Sequence, residues 1–176
     1  MYSRRKKQSY NVMDVSRYII NYSNKKDYSI SNLKLQKLLY FIQAYFLVKH
    51  GKECFGSTIE AWAFGPVVPE AYREFKRFGG GEIPPIKSWF VFEEEGRLWS
   101  VRRIEYDDKA IRKRDKRRIN QVVDLFANYS SSDMTELTLN QDPWEIAYKK
   151  APGSAIQDES LNVYFSQNIQ NKNKKL

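Results

Sequence analysis

The side chains best suited to chemistry in this sequence are its single cysteine, Cys54, and its single histidine, His50. Such a pair acts as nucleophile and base only when the fold places both groups and an orienting partner together. Both lie where a long apolar helix is predicted to end, and a histidine there is favoured by the negative end of the helix dipole. One cysteine and one histidine leave no internal disulfide and no zinc cluster of ordinary ligand spacing. We therefore predict no catalytic residue, no metal and no cofactor.

Other patterns that could indicate an enzyme are equally weak. The acidic run Glu93–Glu95 lies on a predicted turn, where it is explained as solubilising charge. The glycine triplet Gly79–Gly81 lacks the Lys-Ser/Thr that follows a phosphate-binding loop, and no GxSxG or HExxH occurs. A hydrolase or transferase therefore ranks last among the possible functions, and a protein that binds a partner ranks first.

Composition predicts one folded domain. The chain has 176 residues, of which 41% are hydrophobic and 15% aromatic, enough for one substantial core. No run approaches the roughly 18 apolar residues of a membrane span, and no apolar segment follows the basic N-terminus, so we expect a cytoplasmic protein without a membrane partner. We predict a disordered basic arm at 1–10, a single domain at 11–168 and a disordered basic tail at 169–176.

The net charge of +9 is concentrated on the two ends and on one segment, Lys109–Arg118. A basic helix face of this kind can bind phosphates, which makes a nucleic-acid-binding regulator, possibly phage-encoded, the alternative function. A solvated helix end explains the same charges without a ligand. The candidate nucleic-acid contacts are Arg112, Arg114, Arg117 and Arg118.

The stretch Leu33–Gly81 organises the rest of the chain. An apolar stripe predicts a long helix that begins after Ser31, a good N-cap, and ends at Gly51. Alternating side chains then predict a strand over Thr58–Phe64, and a Gly-Pro break precedes a helix that opens at Pro69. The long helix is apolar on more than one side, so it should be central.

The remaining segments are predicted to form elements that pack around this unit. Spacing of apolar residues indicates a helix over about 12–24, and two aromatic runs around Glu93–Gly96 indicate a β-hairpin. Further helices are predicted at about 108–129, around Met134, at about 143–150 and after Asp158. The fold class is therefore mainly α (α+β), a single helical domain with a small β-hairpin or a three-stranded antiparallel sheet.

Several blocks of residues together carry a family resemblance. They are Leu35-Gln36-Lys37-Leu38-Leu39-Tyr40, Ile59-Glu60-Ala61-Trp62, Phe64-Gly65-Pro66-Val67-Val68-Pro69, Tyr72-Arg73-Glu74-Phe75, Leu137-Thr138, Asp142-Pro143-Trp144 and the helix from Ile156 to Phe165. Neither of the two strongest blocks, KLQKLLY and GPVVPEAYREF, is specific alone, but the pair is. Over about 12–168 the chain resembles the SocA-like antitoxins with the Panacea domain, a family found in bacteria and on prophages.

The resemblance implies a mainly helical, non-enzymatic domain that neutralises a toxin encoded beside it by binding the toxin directly. In some members it implies an adaptor that presents the toxin to a protease. Packing around an obligatory turn explains the signature residues as well as a partner contact does, and Lys37 is the strongest candidate because its stem can be buried while its amine reaches a carbonyl or a carboxylate. The candidate partner-binding residues are Lys37, Tyr40, Trp62, Phe64, Gly65, Pro66 and Tyr72.

Overall fold

A computed structural model of the chain describes residues 9–95 and 98–173. Residues 1–8 of the predicted arm and 174–176 of the predicted tail lie outside these ranges. The described residues confirm a mainly α fold. They contain both of the predicted alternatives, a β-hairpin and a three-stranded antiparallel sheet. Their α-helices are α1 (Val12–Lys25), α2 (Asn32–His50), α3 (Pro69–Phe75), α4 (Lys113–Leu125), α5 (Ser131–Leu139), α6 (Asp142–Lys150) and α7 (Asp158–Asn173), and their strands are β1 (Ile59–Trp62), β2 (Gly65–Val67), β3 (Ser88–Glu95), β4 (Leu98–Glu105) and β5 (Ala155–Ile156).

Helix α2 is the centre of the molecule, as predicted. Thirteen of its 19 residues are buried, because α1, α3, α4, α5 and α7 all pack around it. The Ser31 hydroxyl accepts a hydrogen bond from the Lys34 amide at 3.2 Å, and Gly51 ends the helix with a left-handed φ of 58°. Within the described part of the chain, no helix is both long and apolar enough to cross a membrane.

A three-stranded antiparallel sheet in the order β2-β1-β5 lies against α2 and α6. Trp62 pairs with Gly65, so the chain reverses through Ala63 and Phe64. The sequence predicts a strand that continues through Phe64 and breaks at Gly65. That boundary is wrong, because Phe64 lies in a two-residue turn and Gly65 starts the next strand.

Strands β3 and β4 form the predicted hairpin, which is separate from the first sheet. All eight residues of each strand pair in register, from Ser88 with Glu105 to Glu95 with Leu98. The base of the hairpin is attached to the helices by Trp89, whose ring lies 3.6 Å from the guanidinium carbon of Arg17.

Three helix boundaries differ from the prediction. Asp107 caps a short 3-10 turn at Asp108–Ala110, and α4 begins only after Arg112. Helix α6 begins at Asp142, one residue before the predicted start at about 143. Helix α7 runs from Asp158 to Asn173, whereas the closing helix was expected from Ile156 to Phe165.

Asp115, in the first turn of α4, ties distant parts of the chain together. It is fully buried and accepts a hydrogen bond from the Tyr10 hydroxyl at 2.6 Å. Arg118 and Lys52 supply positive charge at 2.7 Å and 3.4 Å. Burial alone raises the pKa of Asp115, but the bonds from Tyr10 and Arg118 and the charge of Lys52 outweigh it, so the pKa of this carboxyl lies below its usual value.

The buried carboxylate leads to a stability prediction. Asp115→Asn keeps the shape but removes the charge that Arg118 and Lys52 face, so we expect the free energy of unfolding to fall by about 1–3 kcal/mol in urea denaturation. Asp124→Asn is the matched control on the same helix, because Asp124 is exposed and its hydrogen bonds from the Tyr22 hydroxyl are at the surface. Its expected cost is below about 0.5 kcal/mol. Equal costs for the two variants would contradict the assigned role of Asp115.

Candidate functional site

Lys37 lies in the second turn of α2 with none of its side chain exposed. The helix carries it inward because apolar neighbours surround it on both sides in Leu35-Gln36-Lys37-Leu38-Leu39. Its Nζ donates a hydrogen bond to the carbonyl oxygen of Pro66 at 3.1 Å. Removal from water disfavours the charged amine and lowers the pKa of Lys37 to about 7.

Gly65 is the residue that permits this approach. Its φ of +94° is one that side chains with a Cβ rarely adopt. A Cβ built at Gly65 would lie 2.7 Å from the Thr138 Oγ1 atom and 2.8 Å from the Lys37 Nζ atom. Lys37, Gly65, Pro66 and Thr138 therefore form one tight contact between α2, β2 and α5, which we call the Lys37 junction.

Two polar side chains of α2 extend the junction toward α3. The Gln36 Oε1 atom accepts a hydrogen bond from the Val68 amide at 3.0 Å, and its Nε2 donates to Asn32 Oδ1 at 2.9 Å. Asn32 in turn donates to the Tyr72 carbonyl at 3.1 Å. The chain that leaves β2 and enters α3 is thereby held by side chains of α2.

Tyr40, one turn further along α2, links this helix to the segment that precedes α6. It is fully buried, and its hydroxyl donates to the Gln141 Oε1 atom at 2.8 Å, just before α6. Burial raises the pKa of this phenol. Tyr40 therefore stays neutral and acts as a hydrogen-bond donor inside the core.

The seven predicted partner-binding residues thus divide into two groups. Lys37, Tyr40, Gly65 and Pro66 are buried, so they position the chain and cannot contact a partner in this conformation. The remaining three stay accessible at or beside the β1–β2 turn. Trp62 and Tyr72 are half-buried, and Phe64 is exposed.

Trp62 and Tyr72 form a braced pair. Their rings meet edge to face at 5.1 Å between centroids, and the Trp62 indole nitrogen donates to Glu60 Oε2 at 2.8 Å. The indole nitrogen of Trp144 donates to the Trp62 carbonyl at 2.9 Å, which fixes the start of the turn. The backbone that carries Phe64 is therefore held from both sides.

Phe64 is 72% exposed at the tip of this turn. It borders a groove of about 620 Å³ between the start of α2 and helix α5. We call Phe64 and this groove the Phe64 surface. The other residues that line it are Leu33, Ser132, Thr135, Glu136, Leu139 and Asn140.

The four candidate nucleic-acid contacts also divide. Arg112, Arg114 and Arg117 are exposed around the first turns of α4. Arg118 instead pairs with the buried Asp115 and contributes to the fold. The structure therefore leaves three of the four predicted arginines accessible to a phosphate.

The cysteine and histidine do not form a reactive pair. Cys54 is fully buried, and burial raises the pKa of its thiol, which keeps it protonated. His50 packs edge-on against the rings of Tyr45 and Phe46, and burial lowers its pKa. Among the described residues, no group of three or more His, Cys, Asp or Glu side chains is placed to hold a metal ion.

The junction leads to a prediction about pH. In the unfolded chain Lys37 binds its proton up to the ordinary lysine pKa of 10.5, whereas in the folded protein it releases the proton above a pKa of about 7. The unfolded state then binds more protons, so this residue makes the folded state more stable as the pH rises above about 7. Measured from pH 7 to about pH 8.5, the stability of the natural protein minus that of Lys37→Met should rise, at most by ~1.4 kcal/mol per pH unit, and the contribution of Cys54 cancels because both proteins contain it.

Lys49→Met, at an exposed position of the same helix, is the matched control for loss of an amine. A difference between the natural protein and Lys37→Met that stays flat with pH would show that Lys37 keeps its proton when folded.

A second prediction concerns Gly65. Gly153 also has a positive φ, +84°, but a Cβ there would meet nothing within 4 Å. Gly153→Ala should therefore cost only backbone strain, about 1–2 kcal/mol. Gly65→Ala should cost at least about 1 kcal/mol more in thermal or urea unfolding, because its Cβ collides with Lys37 and Thr138. Equal costs would show that the contact at Gly65 is not close.

Comparison with known proteins finds a family that matches this part of the chain. The family described as "Antitoxin SocA-like, Panacea domain" matches residues 35–145, a range that contains the Lys37 junction and the Phe64 surface apart from Leu33. The antitoxin SocA of Caulobacter vibrioides (strain NA1000 / CB15N) is 43% identical over 72 residues, which are 41% of this chain and 38% of that protein. The match thus spans well under half of that relative's length, and no solved structure matches. The family model matches more than half of the residues of this chain, and the chain therefore belongs to the SocA-like antitoxin family with the Panacea domain.

Proposed function

We propose that this protein is an antitoxin that neutralises a cognate toxin by binding it directly through the Phe64 surface. The observation that carries the proposal is Phe64 itself, a large apolar side chain 72% exposed on a braced turn within the family-matched range. Exposed aromatic residues beside a groove are the usual anchors of a protein interface.

The Lys37 junction supports the proposal by making this surface rigid. Lys37 and Gln36 hold the Pro66 carbonyl and the Val68 amide, and Trp144 holds the Trp62 carbonyl. A preformed turn loses little conformational freedom when a partner binds, so more of the contact energy appears as affinity.

The charge of the chain suits an acidic toxin. A net charge of +9 accelerates encounter with an acidic protein and changes the association rate more than the final affinity. The association rate of the complex should accordingly fall as salt concentration rises, with a smaller change in the dissociation rate.

Co-expression tests the proposal. The reading frame beside this gene should arrest growth when expressed alone, and the natural protein should restore growth and co-purify with its product. Phe64→Ser should abolish rescue and weaken binding about 30-fold or more, as expected for loss of an interface anchor. Phe92→Ser, at a position 68% exposed on the hairpin, is the matched control and should rescue normally.

The antitoxin proposal fails if the neighbouring product is harmless and nothing co-purifies. Rescue by Phe64→Ser at the natural level, with unchanged binding, would place the toxin-binding site elsewhere.

The lifetime of the toxin separates direct blocking from delivery to a protease. If the antitoxin only blocks the toxin, the toxin's half-life in a pulse-chase experiment should not shorten when the two are co-expressed. A shortened half-life that is restored when cellular proteases are removed would support the adaptor role.

Nucleic-acid binding is the second candidate function, and the exposure of Arg112, Arg114 and Arg117 favours it. Affinity for duplex DNA or for RNA should then fall steeply with salt. Reversing these three charges tests the face without breaking the bond between Arg118 and Asp115, and unchanged binding would remove this candidate.

A further inference from the structure

The β3–β4 hairpin has one face that nothing in the described structure covers. The strands contact each other far more than any other element. On one face Trp89, Val91 and Ile104 are half-buried. The opposite face carries four large apolar side chains, Phe90, Phe92, Trp99 and Val101, which are 63%, 68%, 69% and 56% exposed.

These four side chains form one strip. Phe92 lies directly opposite Val101 in the register, Phe90 opposite Arg103, and Trp99 opposite Glu94. Residues that pair directly lie on the same face of a two-stranded sheet. The four apolar side chains and the charged side chains of Glu94 and Arg103 therefore lie beside one another. A contiguous apolar patch on an otherwise charged chain usually marks an interaction surface.

The two rows next to the pair of Phe92 and Val101 carry opposite charges, and Glu105 follows Arg103 at the base of the same face. Glu94 lies near the tip of the hairpin, and it forms no ion pair with any residue that the structure describes. Arg103 lies near the base, where its Nε donates to Ser88 at 3.1 Å and pairs with Glu105 at 3.0 Å. Both contacts use Nε, so neither occupies the two terminal amino groups of Arg103.

When a second copy of this strip faces the first in the antiparallel direction, the Glu94 end of each copy lies near the Arg103 end of the other, so the charges are complementary. We propose that this face of the hairpin associates with the same face of a second copy of the chain, in a symmetric antiparallel dimer. This proposal is independent of toxin binding at the Phe64 surface.

The pairing follows from a two-fold axis at the row of Phe92 and Val101. Those residues then meet their own copies, as a symmetric interface requires. Arg103 of each copy lies over Trp99 of the other, where a guanidinium stacks well, and within reach of Glu94 of the other. By the same operation, Phe90 of each copy lies over Glu94 of the other, and the positive edge of the ring can face the carboxylate.

The size of the strip sets the strength of the dimer. Covering four exposed apolar side chains on each copy removes on the order of 1,000 Å² from water in total. That area is at the small end for a specific protein interface, so the dimer should be reversible at micromolar concentrations.

Sedimentation measured over a range of concentrations tests the proposal. The average mass of the natural protein should rise from 20.9 kDa toward twice that value as concentration increases. Phe92→Ser should weaken this association about tenfold or more, as expected for an aromatic at the centre of an interface. Phe64→Ser removes an equally exposed phenylalanine elsewhere and should associate normally.

Charge exchange distinguishes a second copy from any other occupant. Glu94→Arg and Arg103→Glu should each weaken self-association, since each makes both ends of the strip alike in sign. An equal mixture of the two variants should recover the dimer, because the two rows that meet are then both basic in one copy and both acidic in the other.

A natural protein that remains monomeric to millimolar concentration would overturn the proposal. So would Phe92→Ser associating as well as the natural protein, or two charge variants that associate no better mixed than alone. The Phe92→Ser comparison does not depend on the charge variants folding.

Discussion

The burial of Lys37 against the Pro66 carbonyl is the constraint on which the rest of the fold depends. Helix α2 is covered by helices on several sides, so a lysine on its buried surface must leave water and find a hydrogen-bond acceptor. The acceptor is the backbone of β2, and it can come close only because Gly65 has no side chain. One amine therefore fixes the distance between the central helix and the strand that follows the Phe64 turn.

The neighbouring polar groups repeat this arrangement. Gln36, Asn32 and Tyr40 each satisfy a group that lies far along the sequence, on α3 or just before α6. Buried polar groups without partners are costly, so these bonds specify one arrangement of the elements around α2. The accessible side chains of the turn, above all Phe64, take their positions from this buried network.

Much of the helical framework could be predicted from local sequence. Ser31, Gly51 and Pro69 mark helix ends through caps and fixed dihedral angles, and all three act as expected. The roles of Gln36, Thr138 and Gln141 could not be predicted, because their partners lie more than 30 residues away or on another element. The Leu-Thr pair that resembles the family was the one available signal for Thr138.

The positions and roles of surface residues were even harder to predict from the sequence. Phe64 continues the alternation of β1, so nothing local indicates that the chain turns at Ala63; only the pairing of Trp62 with Gly65 reveals it. Arg118 lies in the same basic segment as Arg114 and Arg117, yet it faces the buried Asp115. Whether a basic residue contacts a ligand or supports the fold depends on what lies opposite it, which one segment of sequence does not contain.

In the proposed function, a rigid turn that is set by the Lys37 junction presents Phe64 to a toxin. Hydroxyl-radical footprinting of the free protein and of its complex with the co-purified toxin measures the solvent exposure of individual aromatic side chains. We predict that oxidation of Phe64 falls sharply in the complex, while that of Phe92, at concentrations where the protein alone is monomeric, does not change. Unchanged oxidation of Phe64 in a stable complex would contradict the proposed role of this turn.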